Sequence, residues 1–141
     1  MTDDEFLAAF EGCTIGRAEW SHAAHVRVAW LYATRTADPL PPVRAGIQKL
    51  NATFVRPTDA RPDPRGLDGY HETITTAFVR VIAARARTGE SFEAFAARNP
   101  DLFDRALSAL LAHYSPARLF SAEARAAFAP PDRADLPGSS S

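Results

Sequence analysis

The chain has 141 residues, 46% of them hydrophobic and 23% charged, with a formal net charge of -1 and an isoelectric point near 6.4. This is the composition of one ordinary globular domain with enough carbon for a core, and it supplies no electrostatic reason to expect nucleic acid or an anionic membrane as partner. The single cysteine, Cys13, excludes an intrachain disulfide and a thiolate metal cluster and suits a reducing cytoplasm.

The opening MTDDEFLAAFEGC is acidic and does not read as a signal peptide. No stretch approaches the roughly 18 uninterrupted apolar residues of a membrane span. The expected location is cytoplasmic. Lys49 is the sole lysine, and the abundance of Ala, Arg and Pro suggests a GC-rich bacterial genome.

Residues 3–11 read as a short helix with apolar Phe6, Leu7 and Phe10, an acidic first turn and Gly12 as its stop. Ser21 is a suitable N-cap for a second helix running to about Thr36, where ADPLPP breaks it. A third helix starts near Pro41 or Pro42 and carries Val43, Ile47, Leu50 and Phe54 on one stripe. Residues 55–69 lack periodicity and hold several prolines and glycines, so they are expected to form a long loop or lid. A fourth helix is predicted over residues 70–88, with Gly89 after it. Ser91 caps a short fifth helix through Arg98, and Asn99-Pro100 starts a sixth ending near His113. Ser121 caps one more before Pro130 and Pro131, and residues 137–141 form a disordered tail. The class is all-α: a compact bundle of about five or six helices spanning residues 1–136, its central helices arranged up-down-up.

The segment EWSHAAHVRVAWLY sets two histidines at the start of the second helix. Measured from the polar position Arg27, His25 lies about 160° and His22 about 220° around the helix. Both face inward. On the fourth helix His71 falls about 180° from Arg80, on the stripe of Phe78 and Ile82. If successive helices alternate in direction, the first turns of the second and fourth lie at one end, and the sixth brings His113 and Tyr114 there too.

Burying an unpaired polar group costs on the order of 1–3 kcal/mol, so three clustered imidazoles need shared partners or a common ligand. A divalent metal (zinc, iron or copper) held by His22, His25 and His71 meets that need, with a fourth position open for water or dioxygen and a small organic substrate. In that reading Glu72 is an acid or base acting beside the metal, Tyr70 and Tyr114 orient substrate, and Arg118 and Trp20 contact it. The alternative is a non-enzymatic pocket for a small or anionic molecule, which the positive ends of two helices favour over a cation. Arg65 and Arg118 could then assist. A third reading has each ring hydrogen-bonded separately within the core. Cys13 remains open between a buried structural thiol and a partner of these histidines. Trp20, just ahead of Ser21, also suits a hydrophobic staple.

The segments FEGCTIGRAEWSHAAHVRVAW, GYHETITTAF and HYSPARLFSAEAR resemble a family of small bacterial helical proteins. Those proteins carry W-[ST]-H-x-x-H, then Y-H-E-T-[IVL]-T, then Y-S-x-x-R-L-x-S-x-x-A-R. The resemblance implies no particular reaction. It directs attention to Trp20, His22, His25, Tyr70, His71, Glu72 and Thr73, and to Tyr114, Ser115, Arg118 and Ser121. A looser likeness is to DinB-like bundles, which hold a metal with three histidines; the HxxxH spacing near the end of that fold is missing here.

Overall fold

Most helices in this protein begin on a side chain that satisfies their first free amides. Helix α1 (Asp3–Glu11) opens on Thr2, which forms a capping box with Glu5. Ser21 caps α2 (His22–Arg35), accepting from the amide of Ala24. Helix α3 (Leu40–Thr53) has no side-chain cap and relies on prolines in its first turn. His71 caps α4 (Glu72–Arg85), and Ser91 caps α5 (Phe92–Arg98). A 3-10 turn (Pro100–Leu102) and three short helices follow: α6 (Ser108–Leu111), α7 (Pro116–Leu119) and α8 (Ala122–Ala126), the last two capped by Ser115 and Ser121. The computed structural model describes residues 2–54 and 69–138. Residues 55–68 of the expected 55–69 loop, Arg65 among them, and residues 139–141 of the tail lie outside the described residues.

All described regular structure is helical, as the apolar spacing predicts. Helix α4 is the axis, packed most extensively on α2 and next on α8, while α3 touches α1, α2 and α4. One hydrophobic cluster runs through these contacts, with Phe10, Val28, Leu50, Ile82, Phe95, Leu102, Leu110, Tyr114 and Leu119 fully enclosed. Burying side chains of this size stabilises by about 1.5–3 kcal/mol each. Among the described residues no helix is long and apolar enough to cross a membrane.

Two expected helices take other forms. The fourth begins two residues later than predicted, because His71 has extended backbone angles (φ -132°, ψ 111°) and sits outside α4 as its cap. The helix expected from Asn99 to His113 is broken. Asn99 turns its side-chain amide to the carbonyl of Phe95 instead of capping. Asp104 accepts from the Ser108 amide, and Leu107 adopts a left-handed conformation (φ 60°), which a long side chain tolerates poorly. Buried Leu102 and Leu107 hold this kinked path to the core, so tertiary packing overrides local helix preference.

After α8 the chain runs as an irregular strap, tied down largely by side chains, with the Arg133 amide donating to the His113 carbonyl. The buried Thr73 hydroxyl donates to the Ala127 carbonyl and accepts from the Ala129 amide, both at 3.0 Å. Tyr114 donates to Ala129, Arg118 to Pro130 and Arg80 to Pro137. Asp132 accepts from both the amide and the hydroxyl of Ser115, and Leu136 is buried. Thr73→Val keeps the shape and removes two part-buried hydrogen bonds, to the Ala127 carbonyl and from the Ala129 amide. It is expected to cost about 1–3 kcal/mol in urea unfolding and to speed amide exchange at Ala129. A loss within about 0.5 kcal/mol, the level of an ordinary surface substitution, would refute the anchoring role.

Candidate functional site

The first turn of α2 and the approach to α4 meet at one cavity of about 260 Å³. His22 and His25 enter from α2, Gly69, Tyr70 and His71 from the approach to α4. The rest of the wall is mostly carbon, from Val26 and Ala29 on α2, Val43 and Ile47 on α3, Ile74, Phe78, Val79 and Ile82 on α4, and Leu107. Neither lysine nor arginine is among the described residues that line it.

Each imidazole has a defined protein partner. His22 Nε2 lies 2.7 Å from the Leu102 carbonyl, and His25 Nδ1 lies 2.8 Å from the Ser21 carbonyl. A carbonyl only accepts, so these nitrogens carry the protons and the opposite nitrogens carry lone pairs when the rings are neutral. His71 is engaged on both sides. Its Nδ1 accepts from the Ile74 amide and its Nε2 donates to the Leu119 carbonyl, each at 3.1 Å.

That last arrangement bears on the expected three-histidine metal centre, because both nitrogens of His71 already have protein partners. A metal ligand needs a free ring lone pair, and the Nδ1 lone pair of His71 is held by the amide it caps. Among the described residues no group of three His, Cys, Asp or Glu side chains is arranged to hold a metal ion. The described residues thus show no three-ligand set for the expected zinc, iron or copper.

Burial pushes the His25 ring down to about 4, outweighing the opposing bond to Ser21, with the neighbouring His22 adding in the same direction. His25 is only partly covered by surface measure, yet protein closes around it, because part of its open side faces the cavity. Burial is also the main cause of the lowered His71 value, with Arg125 contributing. Trp20 lies tilted against His25 at 3.9 Å between centroids and stacks on Phe10 at 5.5 Å. Trp20 and His25 stand at the positions before the cap and in the fourth helical place, which is the staple geometry. Trp20 is absent from the described cavity wall and backs His25.

Glu72, expected as an acid or base, is held by Arg44, Tyr70 and Thr76. Arg44 on α3 grips it with two hydrogen bonds, Nε at 2.9 Å and Nη2 at 2.6 Å, and the hydroxyls of Tyr70 and Thr76 also donate to it. Burial alone would raise its pKa. The Arg44 fork, Tyr70 and Thr76 outweigh that and hold the carboxyl below its usual range. An ionised carboxylate with its oxygens already engaged is a poor proton acceptor. Its effect on the cavity is to fix Tyr70, whose own pKa burial and Glu72 push up to about 12.

Tyr114 and Arg118, expected to meet substrate, are strap anchors away from the described wall. The broken sixth helix also leaves His113 elsewhere, its Nδ1 facing the Ala134 carbonyl at 3.0 Å. Cys13 is half-buried with φ 57° and packs on the core without lining the cavity. Sequence reasoning missed Arg44, which breaks the polar-outside pattern only through its partner on α4, and Leu107, which no periodicity places at the wall.

The protein is thus an all-helical bundle with an apolar cavity rimmed by imidazoles. No protein-family model, curated protein or solved structure matches the chain.

Proposed function

We propose that this chain is a non-enzymatic binding domain for a compact, largely apolar small molecule held in the cavity between α2, α3 and α4. One observation carries the reading: a space of about 260 Å³ walled mainly by aliphatic and aromatic carbon, in which the polar side chains among the described residues are the imidazoles, Tyr70 and Thr75. An apolar cavity of about 150 Å³ already takes a benzene-sized guest, so this one suits a molecule of about ten non-hydrogen atoms. The lack of a lysine or arginine in the described wall favours a neutral guest over the anion that the helix ends alone would suggest.

Indene serves as a probe. At about ten times its dissociation constant it is expected to stabilise the native state by about 1.4 kcal/mol and to raise the melting midpoint by a few degrees. Ala29→Leu extends a buried wall residue into the space and should abolish most of that shift. An unmoved wild-type midpoint up to the solubility of indene would defeat the reading.

A further inference from the structure

The polar groups at the cavity differ in what they still offer, and that difference bears on the chemistry of the guest. This step rests on the binding reading above. His71 has both nitrogens engaged within the protein. The Tyr70 hydroxyl donates to Glu72, and Arg44 and Thr75 stand close enough to influence it. His22 and His25 each donate one N–H to a carbonyl. The ring nitrogens left over, Nδ1 of His22 and Nε2 of His25, are lone-pair acceptors in the neutral rings. A wall whose remaining imidazole nitrogens are acceptors matches a guest that brings a donor.

We infer that the cavity selects a neutral aromatic compound bearing a single hydrogen-bond donor, of the indole or phenol class, whose N–H or O–H is received by Nε2 of His25. The ring of such a guest meets the aromatic faces and edges of Phe78 and Tyr70 and the aliphatic wall of Val26, Ile74 and Ile82. Trp20 packed against His25 and the Ser21 carbonyl on its Nδ1 fix both the tilt and the tautomer of the acceptor. Burial keeps the ring neutral, so the lone pair is present at ordinary pH. Carboxylates are disfavoured twice: they bring an acceptor to an acceptor, and no lysine or arginine in the described wall compensates their charge.

Indole, indene and benzoate have the same number of non-hydrogen atoms and separate these possibilities by calorimetry or competition binding. With each affinity referred to the compound's partition from water into an alkane, indole is expected to exceed indene by about tenfold or more, since a hydrogen bond is formed in an apolar setting. In His25→Phe, which keeps an aromatic ring against Trp20, indene should still bind while the advantage of indole closes. Benzoate should bind about tenfold or more below indole. Corrected indole and indene affinities agreeing within about threefold would overturn the inference and leave the binding reading standing. So would an indole advantage that persists in His25→Phe, or benzoate binding above indole. If His25→Phe does not fold, the wild-type comparison of the three probes decides alone. Failure of indene itself to bind would remove the binding reading and this inference together.

Discussion

Between pH 6.5 and pH 4 the chain is expected to lose up to about 3 kcal/mol of unfolding free energy to the single ring of His25, which the folded state holds near 4 against an ordinary 6.5. Over that interval the unfolded chain binds a proton that the native ring refuses, so acid draws the equilibrium toward the unfolded state. Above 6.5 both forms are neutral, below 4 both are protonated, and the contribution is flat. The lowered His71 value acts in the same direction within its own window. Glu72 adds a loss at lower pH: its folded pKa is depressed, so its stabilisation is present above 4.5 and disappears as the pH falls through the folded value. Urea unfolding across pH 4 to 7 for wild type and His25→Phe tests the assignment. The variant should show a shallower slope, and equal slopes would mean that His25 is protonated as readily in the folded state as in the unfolded chain.

Gly46→Ala is expected to destabilise the protein by about 2–3 kcal/mol, against the usual rule for a glycine inside a helix. Replacing such a glycine by alanine normally stabilises by roughly 0.5–1 kcal/mol, because the unfolded chain loses freedom. Here a Cβ on Gly46 would stand 2.2 and 2.3 Å from the Cε2 and Cζ atoms of Phe10. Phe10 is fully enclosed, stacked on Trp20 and edge-on to Tyr32, so its ring has nowhere to retreat. Gly46 thus lets α1 approach α3. Shortening the obstacle should relieve the clash: Gly46→Ala with Phe10→Leu ought to lose less than the two single variants combined, by about 1 kcal/mol or more. Stabilisation by Gly46→Ala alone would show that the close approach does not exist in solution. The consequence reaches the cavity, because α3 carries Val43 and Ile47 of its wall and Arg44, which holds Glu72.

Several residues that looked chemical in the sequence are structural for a definite reason. Serine and threonine are the familiar caps, and Ser21 was read as one. Histidine is not among the preferred caps, so His71 was placed on a helical face although it ends the preceding segment and accepts from the Ile74 amide. Thr73 and Thr76, polar residues on α4, are both buried, one holding the strap and the other Glu72. Tyr114, Ser115 and Arg118, adjacent in sequence, all tie down residues 129–132. A pattern of polar residues can therefore mark hydrogen bonding between distant segments as readily as a reaction.

From residue order alone came the helical class, the ends of α1, α2 and α5 to within a residue or two, the buried stripe of Val43, Ile47 and Leu50, and the inward direction of His22 and His25 on α2. Those features follow from local chemistry: the 3.6-residue period, a side-chain oxygen within reach of a free amide, a proline in a first turn. Tertiary structure decided the rest. Which ring nitrogen remains open depends on the carbonyls of Ser21, Leu102 and Leu119, two of them contributed by distant segments. The engagement of Glu72 depends on Arg44 from another helix, and the loss of the expected helix after Asn99 depends on the burial of Leu102 and Leu107. Hydrogen bonding and close packing between segments far apart in the chain leave no periodic trace, so the same imidazoles that suggest a metal in sequence surround an apolar space in the folded molecule.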